Sequence, residues 1–275
     1  EGIYEDGYYF GWGLHHEIGH EINQQQYTYA EVTNNYYSQL GQAKDTNEST
    51  RWSDYQVVYD RVTSGLKGMA SGKTGIAMYW QLHLAYDDGF NFKSYGTYAE
   101  QMENLVFARM DAYARNQAIA PQAAEGGTPL VLAGADKDNA IMRLACAATQ
   151  KNVLAFFEAW GLTPDASTIA YAAQWPKEER AIQYISDDTR KNGRLKGSIG
   201  HDGNYASNIE VAGEVTYAGN SNQVTVNLSN SAKDLVGRVL GPDQSKFLGY
   251  EVSRNGKPVG FVEADEQGKA TFTDT

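Results

Sequence analysis

The sequence predicts an α+β protein in which a mainly helical region comes first and a small antiparallel β-sandwich comes last. In the first two thirds of the chain, apolar residues recur at helical spacing, as Leu14, Ile18 and Ile22 do. From Val211 onward, short runs alternate apolar and polar residues, which is typical of strands with one buried face. An Asn-Gly pair at 255–256 separates two of these runs and favours a tight hairpin, because both turn residues need a positive φ.

The helical region divides into segments of ordinary length. We expect Ser94 or Thr97 to cap one helix, Gly161 to end another, and Pro164 to lie in the first turn of the last. The apolar periodicity predicts helices over residues 14–25, 30–43, 54–66, 72–88, 94–118, 138–162 in two pieces, and 163–185.

The change in texture predicts two domains. Residues 1–195 form the helical region, and residues 198–275 form the β-sandwich. The polar and basic stretch at 189–197 is the predicted linker between them.

Composition excludes some classes of function. A formal net charge of −11 argues against a nucleic-acid-binding protein, which needs a basic face. No apolar run reaches the length of a membrane span. The single cysteine, Cys146, lies in an apolar helical stretch, and we expect it to be a core residue.

The segment HEIGH, residues 16–20, predicts a catalytic metal centre. Residues four apart lie on one face of a helix, so His16 and His20 can point at a common ion, and neutral imidazoles are good zinc ligands. Glu17 lies beside that ion, where a base can take a proton from zinc-bound water. Zinc lowers the pKa of that water to about 7.

A catalytic zinc needs a third protein ligand and one open position. Of the downstream carboxylates, Glu21 turns away from the face shared by the two histidines, and Glu48 lies in a polar stretch that predicts a loop. Glu31 is the best placed, because the connection before it is long enough to lay a second helix against the first. We therefore predict a zinc site of two histidines and one glutamate.

Other polar and aromatic residues have weaker indications. Asn35, one helical turn after Glu31, can hydrogen-bond a ligand imidazole and fix its tautomer, although a surface asparagine fits the sequence equally well. A second set could contact substrate, by supplying an oxyanion donor, an aromatic platform or polar groups. Core packing or simple surface exposure is the alternative for each of them. The substrate-contact candidates are Trp12, Asn34, Trp52, Arg61, Tyr79, His83 and Tyr86.

The run from "GWGLHHEIGHEINQ" to "YAEVTNNYYS", residues 11–38, resembles the enhancin-type M60 zinc metallopeptidases, which are gluzincins. The resemblance implies a zincin catalytic subdomain in which His16, His20 and Glu31 hold zinc and Glu17 is the base. It also implies hydrolysis of peptide bonds in O-glycosylated, mucin-type proteins by a secreted or cell-surface bacterial enzyme. In that family a β-rich half precedes the motif, so we expect an upstream half of the cleft beyond this chain.

Two other functions fit the sequence. The chain could be a carbohydrate- or mucin-binding adhesion module with a non-catalytic zinc, which the predicted sandwich and the 19 tyrosines favour. It could also be a zinc peptidase with no glycan requirement, because the sequence assigns no substrate subsite.

Overall fold

A computed structural model describes residues 12–43, 55–87, 105–185, 211–217, 224–230, 249–254, 257–263, 265 and 269–274. The described residues belong to two compact units, the first within residues 1–53 and 57–179 and the second within 54–56 and 180–275. The predicted domain boundary at 195–198 lies outside the described residues and stays a prediction. Residues 180–185 group with the strands of the second unit.

Helices dominate the described residues before position 180, as predicted. They are α1 (Trp12–Ile22), α2 (Thr33–Ala43), α3 (Tyr55–Thr63), α4 (Gly72–Tyr86), α5 (Val106–Arg115), α6 (Lys137–Thr149), α7 (Leu154–Ala159) and α8 (Ala166–Ala172), with 3₁₀ turns at Gln117–Ile119 and Ile182–Tyr184. None of the helices seen in the described parts of the chain has the length and apolar character that a membrane crossing requires.

Antiparallel strands follow, also as predicted. They are β1 (Val211–Tyr217), β2 (Val224–Asn230), β3 (Gly249–Arg254), β4 (Lys257–Glu263) and β5 (Ala270–Asp274). One sheet has the order β1-β2-β5, and β3 pairs with β4. The predicted Asn-Gly turn lies outside the described residues, but Arg254 and Lys257 pair on its two sides. Packing of these sheets as a sandwich stays a prediction.

Two helix ends differ from the sequence prediction. The candidate caps Ser94 and Thr97 lie outside the described residues and stay predictions, but the helix predicted over 94–118 is not continuous, because Leu105 is extended and α5 begins at Val106. The helix predicted over 163–185 is much shorter, because Asp165 caps it through the Thr168 N–H at 2.6 Å and it ends at Ala172. Proline at 176 lacks an N–H and disfavours helical backbone before it, which accounts for the early end.

The core around α4 is largely aromatic. Tyr36 of α2, Tyr79 of α4 and Phe107 of α5 meet with ring centroids 4.9–5.7 Å apart, a separation at which aromatic pairs attract. Cys146 of α6 is fully buried, and burial raises the pKa of its thiol to about 12. The thiol is therefore protonated and unreactive, which confirms that Cys146 is a core residue.

A buried polar contact joins α4 to α5. The Asp87 carboxylate accepts a hydrogen bond from the Val106 backbone N–H at 2.6 Å, and its other oxygen lies 2.8 Å from His83 Nδ1. Both side chains are fully buried. Burial raises the pKa of the Asp87 carboxyl, and the hydrogen bond from His83 partly opposes this shift.

Helix α1 packs closely on α2 at Gly19. A Cβ atom built on Gly19 would lie 2.7 Å from both Cα and Cβ of Asn34. The absence of a side chain at Gly19 is what permits this close approach. Any larger residue at position 19 must push the two helices apart.

Gly19→Ala should destabilise the fold. The added methyl group meets the α2 backbone, and overpacking of this kind costs about 1–3 kcal/mol. The free energy of unfolding, measured by denaturant titration, should fall by about 2 kcal/mol. Gly13→Ala is the matched control, because a Cβ there meets nothing within 4 Å on the same helix. Equal stability of the two variants would contradict this account of the contact.

Asp87→Ala should destabilise the chain by about 3 kcal/mol. The substitution leaves the buried Val106 N–H and the His83 ring without their acceptor. Thermal and denaturant unfolding measure the loss, with Glu125→Ala as an exposed carboxylate control. A loss no larger than that of the control would show that the contact between α4 and α5 contributes little.

Candidate metal centre

Two imidazoles and one carboxylate converge between α1 and α2. His16 Nε2 lies 3.5 Å from Glu31 Oε2, and His20 Nε2 lies 3.3 Å from Glu31 Oε1. The three ligand atoms all lie within 4.8 Å of one another. Among the residues that the structure describes, this is the one group of three or more His, Cys, Asp or Glu side chains with such a spacing.

The helical repeat of α1 places the two rings together. Their centroids are 4.8 Å apart in an edge-to-face arrangement, as expected for residues four apart. The exposed fraction of the side chain rises from 18% for His16 to 36% for His20 and 64% for Glu31. The site is therefore anchored in the protein at His16 and open to solvent at Glu31.

A hydrogen-bonded turn places Glu31 beside the two imidazole rings. Thr28 Oγ1 donates to the Gln24 carbonyl at 2.8 Å, and Thr33 Oγ1 accepts from the Tyr29 N–H at 3.0 Å. The Tyr29 hydroxyl donates to Asp138 at the start of α6, and burial together with this bond raises the pKa of Tyr29. These bonds fix the direction of the chain just before α2 begins.

Glu31 itself has unfavourable backbone geometry. Its φ is +61°, in the left-handed region that non-glycine residues rarely adopt. The sequence places Glu31 at the start of a helix, whereas in the structure it lies in the turn and α2 begins at Thr33. Backbone strain of about 1–3 kcal/mol is often kept where a side chain has a function. Here the strained residue is the one whose carboxylate reaches both imidazoles.

Asn35 contacts the His16 ring. Its Oδ1 lies 2.7 Å from His16 Nδ1 and accepts from Trp12 Nε1 at 3.2 Å, while its Nδ2 donates to the Glu31 carbonyl at 2.6 Å. Because an amide oxygen only accepts, the His16 proton must be on Nδ1. The lone pair of the His16 ring is then on Nε2, the atom that lies 3.5 Å from Glu31 Oε2.

The other glutamates near the motif lie apart from the three donors. Glu17 and Glu21 are both exposed on α1. Neither belongs to the converging group in the described residues, and the role of Glu17 as the base stays a prediction. Glu48 lies outside the described residues.

Several residues predicted to contact substrate instead pack or hydrogen-bond within the protein. Tyr79 and His83 are buried in the core around α4, so the alternative of core packing applies to both. Their burial argues against contact with substrate. Arg61 donates to the carbonyls of Trp160 and Gly68, so its guanidinium joins two loops. Tyr86 donates to Glu178. Trp52 lies outside the described residues, and a substrate role for Trp12 stays a prediction.

The side chain of Asn34 contacts the histidines of the centre, which the sequence does not predict. We expected a substrate contact, but its side chain is buried and its Nδ2 lies 3.1 Å from His16 Nε2 and 3.0 Å from His20 Nε2. Gly19 is the feature of the sequence that indicates this position of Asn34, because a glycine on α1 lets α2 come so close.

The donor set fits a zinc ion. His₂Glu is an established catalytic zinc set, and tetrahedral ligands at about 2.0–2.1 Å are themselves about 3.3–3.4 Å apart. The separations of 3.5 and 3.3 Å between the imidazole nitrogens and the carboxylate oxygens are close to that value. Glu31 therefore lies at a distance from both imidazoles that allows the three residues to share such an ion.

The comparisons with known proteins agree with this chemistry. The family model described as peptidase M60, enhancin and enhancin-like, matches residues 3–161, more than half of the chain. No curated protein matches the chain.

Solved structures give more distant similarities. The ZmpB metallopeptidase from Clostridium perfringens is 20% identical with a TM-score of 0.46, over 96% of this chain and 44% of that one. The M60 catalytic domain of Clostridium perfringens ZmpC, in complex with the sialyl T antigen, is 20% identical with a TM-score of 0.45 over the same shares. The chain thus spans less than half the length of these structures. On the family match, the chain belongs to the M60 peptidases, enhancin and enhancin-like, a family of metallopeptidases.

Proposed function

We propose that this chain carries the catalytic centre of a zinc-dependent endopeptidase that hydrolyses peptide bonds in O-glycosylated, mucin-type proteins. The observation that carries the proposal is the convergence of His16, His20 and Glu31 on one point, in a chain of an M60 family. A merely structural zinc site is usually closed by four protein ligands, whereas this one is open to solvent at Glu31.

In the proposed mechanism, His16 and His20 offer their Nε2 lone pairs and Glu31 its carboxylate to the metal. When bound, zinc supplies Lewis acidity and lowers the pKa of the attacking water. Asn35 keeps the His16 proton on Nδ1 through its 2.7 Å contact. Glu17 accepts the proton of the water that attacks the scissile carbonyl and returns it to the leaving amine.

The substrate class follows from the family resemblance of residues 11–38, and the geometry allows it. The carboxylate of Glu31 is 64% exposed, so a chain with bulky sugars can approach the centre without entering a deep cavity. Such substrates are extracellular, and we accordingly propose a secreted or cell-surface enzyme. The strands after residue 211 are proposed to form the small β-sandwich predicted from the sequence.

Glu17→Gln should abolish turnover and leave zinc binding intact. Glutamine has the size of glutamate but cannot accept a proton, and loss of a general base typically costs 10²–10⁴-fold in rate. Peptide hydrolysis by the natural full-length protein measures activity, and elemental analysis measures zinc content. Glu21→Gln is the matched control, since Glu21 is exposed on the same helix. Full activity of Glu17→Gln would contradict the proposed mechanism.

Matched peptides should show a requirement for the glycan. A peptide with a Ser or Thr that carries an O-linked disaccharide should be cleaved at least about a hundredfold faster than the bare peptide, because subsites built for sugar hydroxyls are left unpaired without them. Mass spectrometry of the products gives both the rate and the bond that is cut.

Two other outcomes of this peptide experiment would indicate the two alternative functions. Equal cleavage of both peptides would indicate a zinc peptidase with no glycan requirement. Binding of the glycopeptide without cleavage would indicate an adhesion module with a non-catalytic zinc.

A further inference from the structure

A hydrogen bond ties the turn before α2 to α6. The hydroxyl of Tyr29, two residues before Glu31, donates to a carboxylate oxygen of Asp138 in the first turn of α6. The two residues are 109 positions apart along the chain, so this bond is a tertiary contact and not part of the turn's own hydrogen bonding. It connects the segment that carries a proposed metal ligand to a helix that carries none.

The backbone of Glu31 needs support on both sides. A strained φ such as its +61° persists only where the surrounding structure holds the chain in place. After Glu31 that support is burial, because Val32 and Thr33 are both buried. Before Glu31, Ala30 is exposed and gives no such support. Tyr29 is the next residue back, and its side chain is bonded to another helix.

The backbone of Tyr29 is bonded to the far side of Glu31. Its N–H donates to Thr33 Oγ1 at 3.0 Å, and its carbonyl accepts from Thr33 Oγ1 at 2.7 Å. The same carbonyl accepts from the backbone N–H of Val32 at 3.1 Å. These bonds close a loop around Glu31, so a displacement of Tyr29 must displace Glu31 as well.

Asp138 lies on a part of the protein that is itself well fixed. Asp136 caps α6 by accepting from the Asn139 N–H at 2.8 Å, and Asn139 Oδ1 accepts from the Asp165 N–H at 2.8 Å. The residues of α6 from Asn139 to Ala148 are buried. Buried, hydrogen-bonded helices open least readily, so Asp138 is a fixed point to which the turn can be tied.

We infer that Tyr29 is a positioning residue of the metal centre, whose hydrogen bond to Asp138 holds Glu31 where its carboxylate reaches both imidazoles. The Glu31 side chain is 64% exposed, so little protein surrounds it and its position depends on the chain on either side. Without the bond, the turn is free to move and Glu31 must be ordered when the ion binds, which lowers the affinity. This inference rests on the zinc site of the proposed function.

Tyr29→Phe tests the inference, because it removes the hydroxyl and keeps the ring. Zinc affinity of the natural full-length protein and the variant is measured by competition with a chromophoric chelator. The affinity of the variant should fall about 10-fold, as loss of an outer hydrogen bond typically causes. The visible absorption of bound Co²⁺ should also change, because it reports the arrangement of the ligands.

Tyr27→Phe is the matched control. Tyr27 lies in the same turn and its hydroxyl also donates to an aspartate on another helix, Asp111, but at 3.4 Å and four residues before Glu31. The same chemical change should therefore leave zinc affinity and the Co²⁺ spectrum unchanged. Equal losses of affinity in the two variants would show a general loosening of the turn, which overturns the specific role of Tyr29.

Variants of Asp138 test the other end of the bond. Asp138→Ala removes the acceptor and should weaken zinc binding as much as Tyr29→Phe does. Asp138→Asn keeps an acceptor oxygen and should restore most of the affinity. Because the two residues act through one contact, the double variant Tyr29→Phe/Asp138→Ala should bind zinc no more weakly than either single variant.

Thermal unfolding of the metal-free proteins shows whether each variant folds. Unchanged zinc affinity in a folded Tyr29→Phe overturns the inference, even if the variant unfolds at a lower temperature, because the bond would then contribute to stability alone. If Tyr29→Phe does not fold, equal zinc affinity of Asp138→Ala and Asp138→Asn overturns it instead.

The inference and the proposed function fail in different ways. A natural protein that binds no zinc removes both. If the natural protein binds zinc and Glu17→Gln abolishes its turnover, but Tyr29→Phe binds zinc equally well, only the role of Tyr29 is removed.

Discussion

The contact between α1 and α2 at Gly19 is the constraint on which the centre depends. Helix α1 supplies both histidines, and α2 with the turn before it supplies Glu31, Asn34 and Asn35. Only a glycine at position 19 lets the Asn34 backbone come within 2.7 Å of where a Cβ would be. If the helices stood a side chain further apart, neither amide would reach an imidazole, and the carboxylate would lie too far from both rings to share an ion with them.

The turn before α2 completes the centre with a residue in a strained backbone conformation. Glu31 has a φ of +61° within a turn that hydrogen bonds between Tyr29 and Thr33 close. The Glu31 carbonyl also accepts from Asn35, which in turn holds the His16 ring. Backbone strain, ligand position and imidazole tautomer are therefore fixed by one continuous set of bonds.

Part of the metal centre was predictable from the sequence, and part was not. The spacing of His16 and His20 on a helix, and a carboxylate brought back by the chain before a second helix, follow from the helical period and the length of the connection. The left-handed Glu31 does not, because it depends on the side-chain bonds of the turn. The amide of Asn34 also escapes prediction, since which of two adjacent asparagines faces the rings is decided by the contact at Gly19.

The predicted substrate contacts on α4 fail for a different reason. Tyr79 and His83 share a helical face in the sequence, but α4 is buried nearly all round. Periodicity identifies the exposed face of an amphipathic helix and has no power when the whole helix lies in the core. In contrast, the antiparallel strands after residue 211 follow directly from alternation and the Asn-Gly turn.

An anomalous-scattering map recorded at the zinc edge, on crystals of the zinc-loaded protein, tests the central claim most directly. The arrangement described here predicts one peak about 2.0–2.1 Å from the Nε2 atoms of His16 and His20 and from a Glu31 carboxylate oxygen. A peak bound elsewhere, or a zinc whose ligands do not include Glu31, would contradict it.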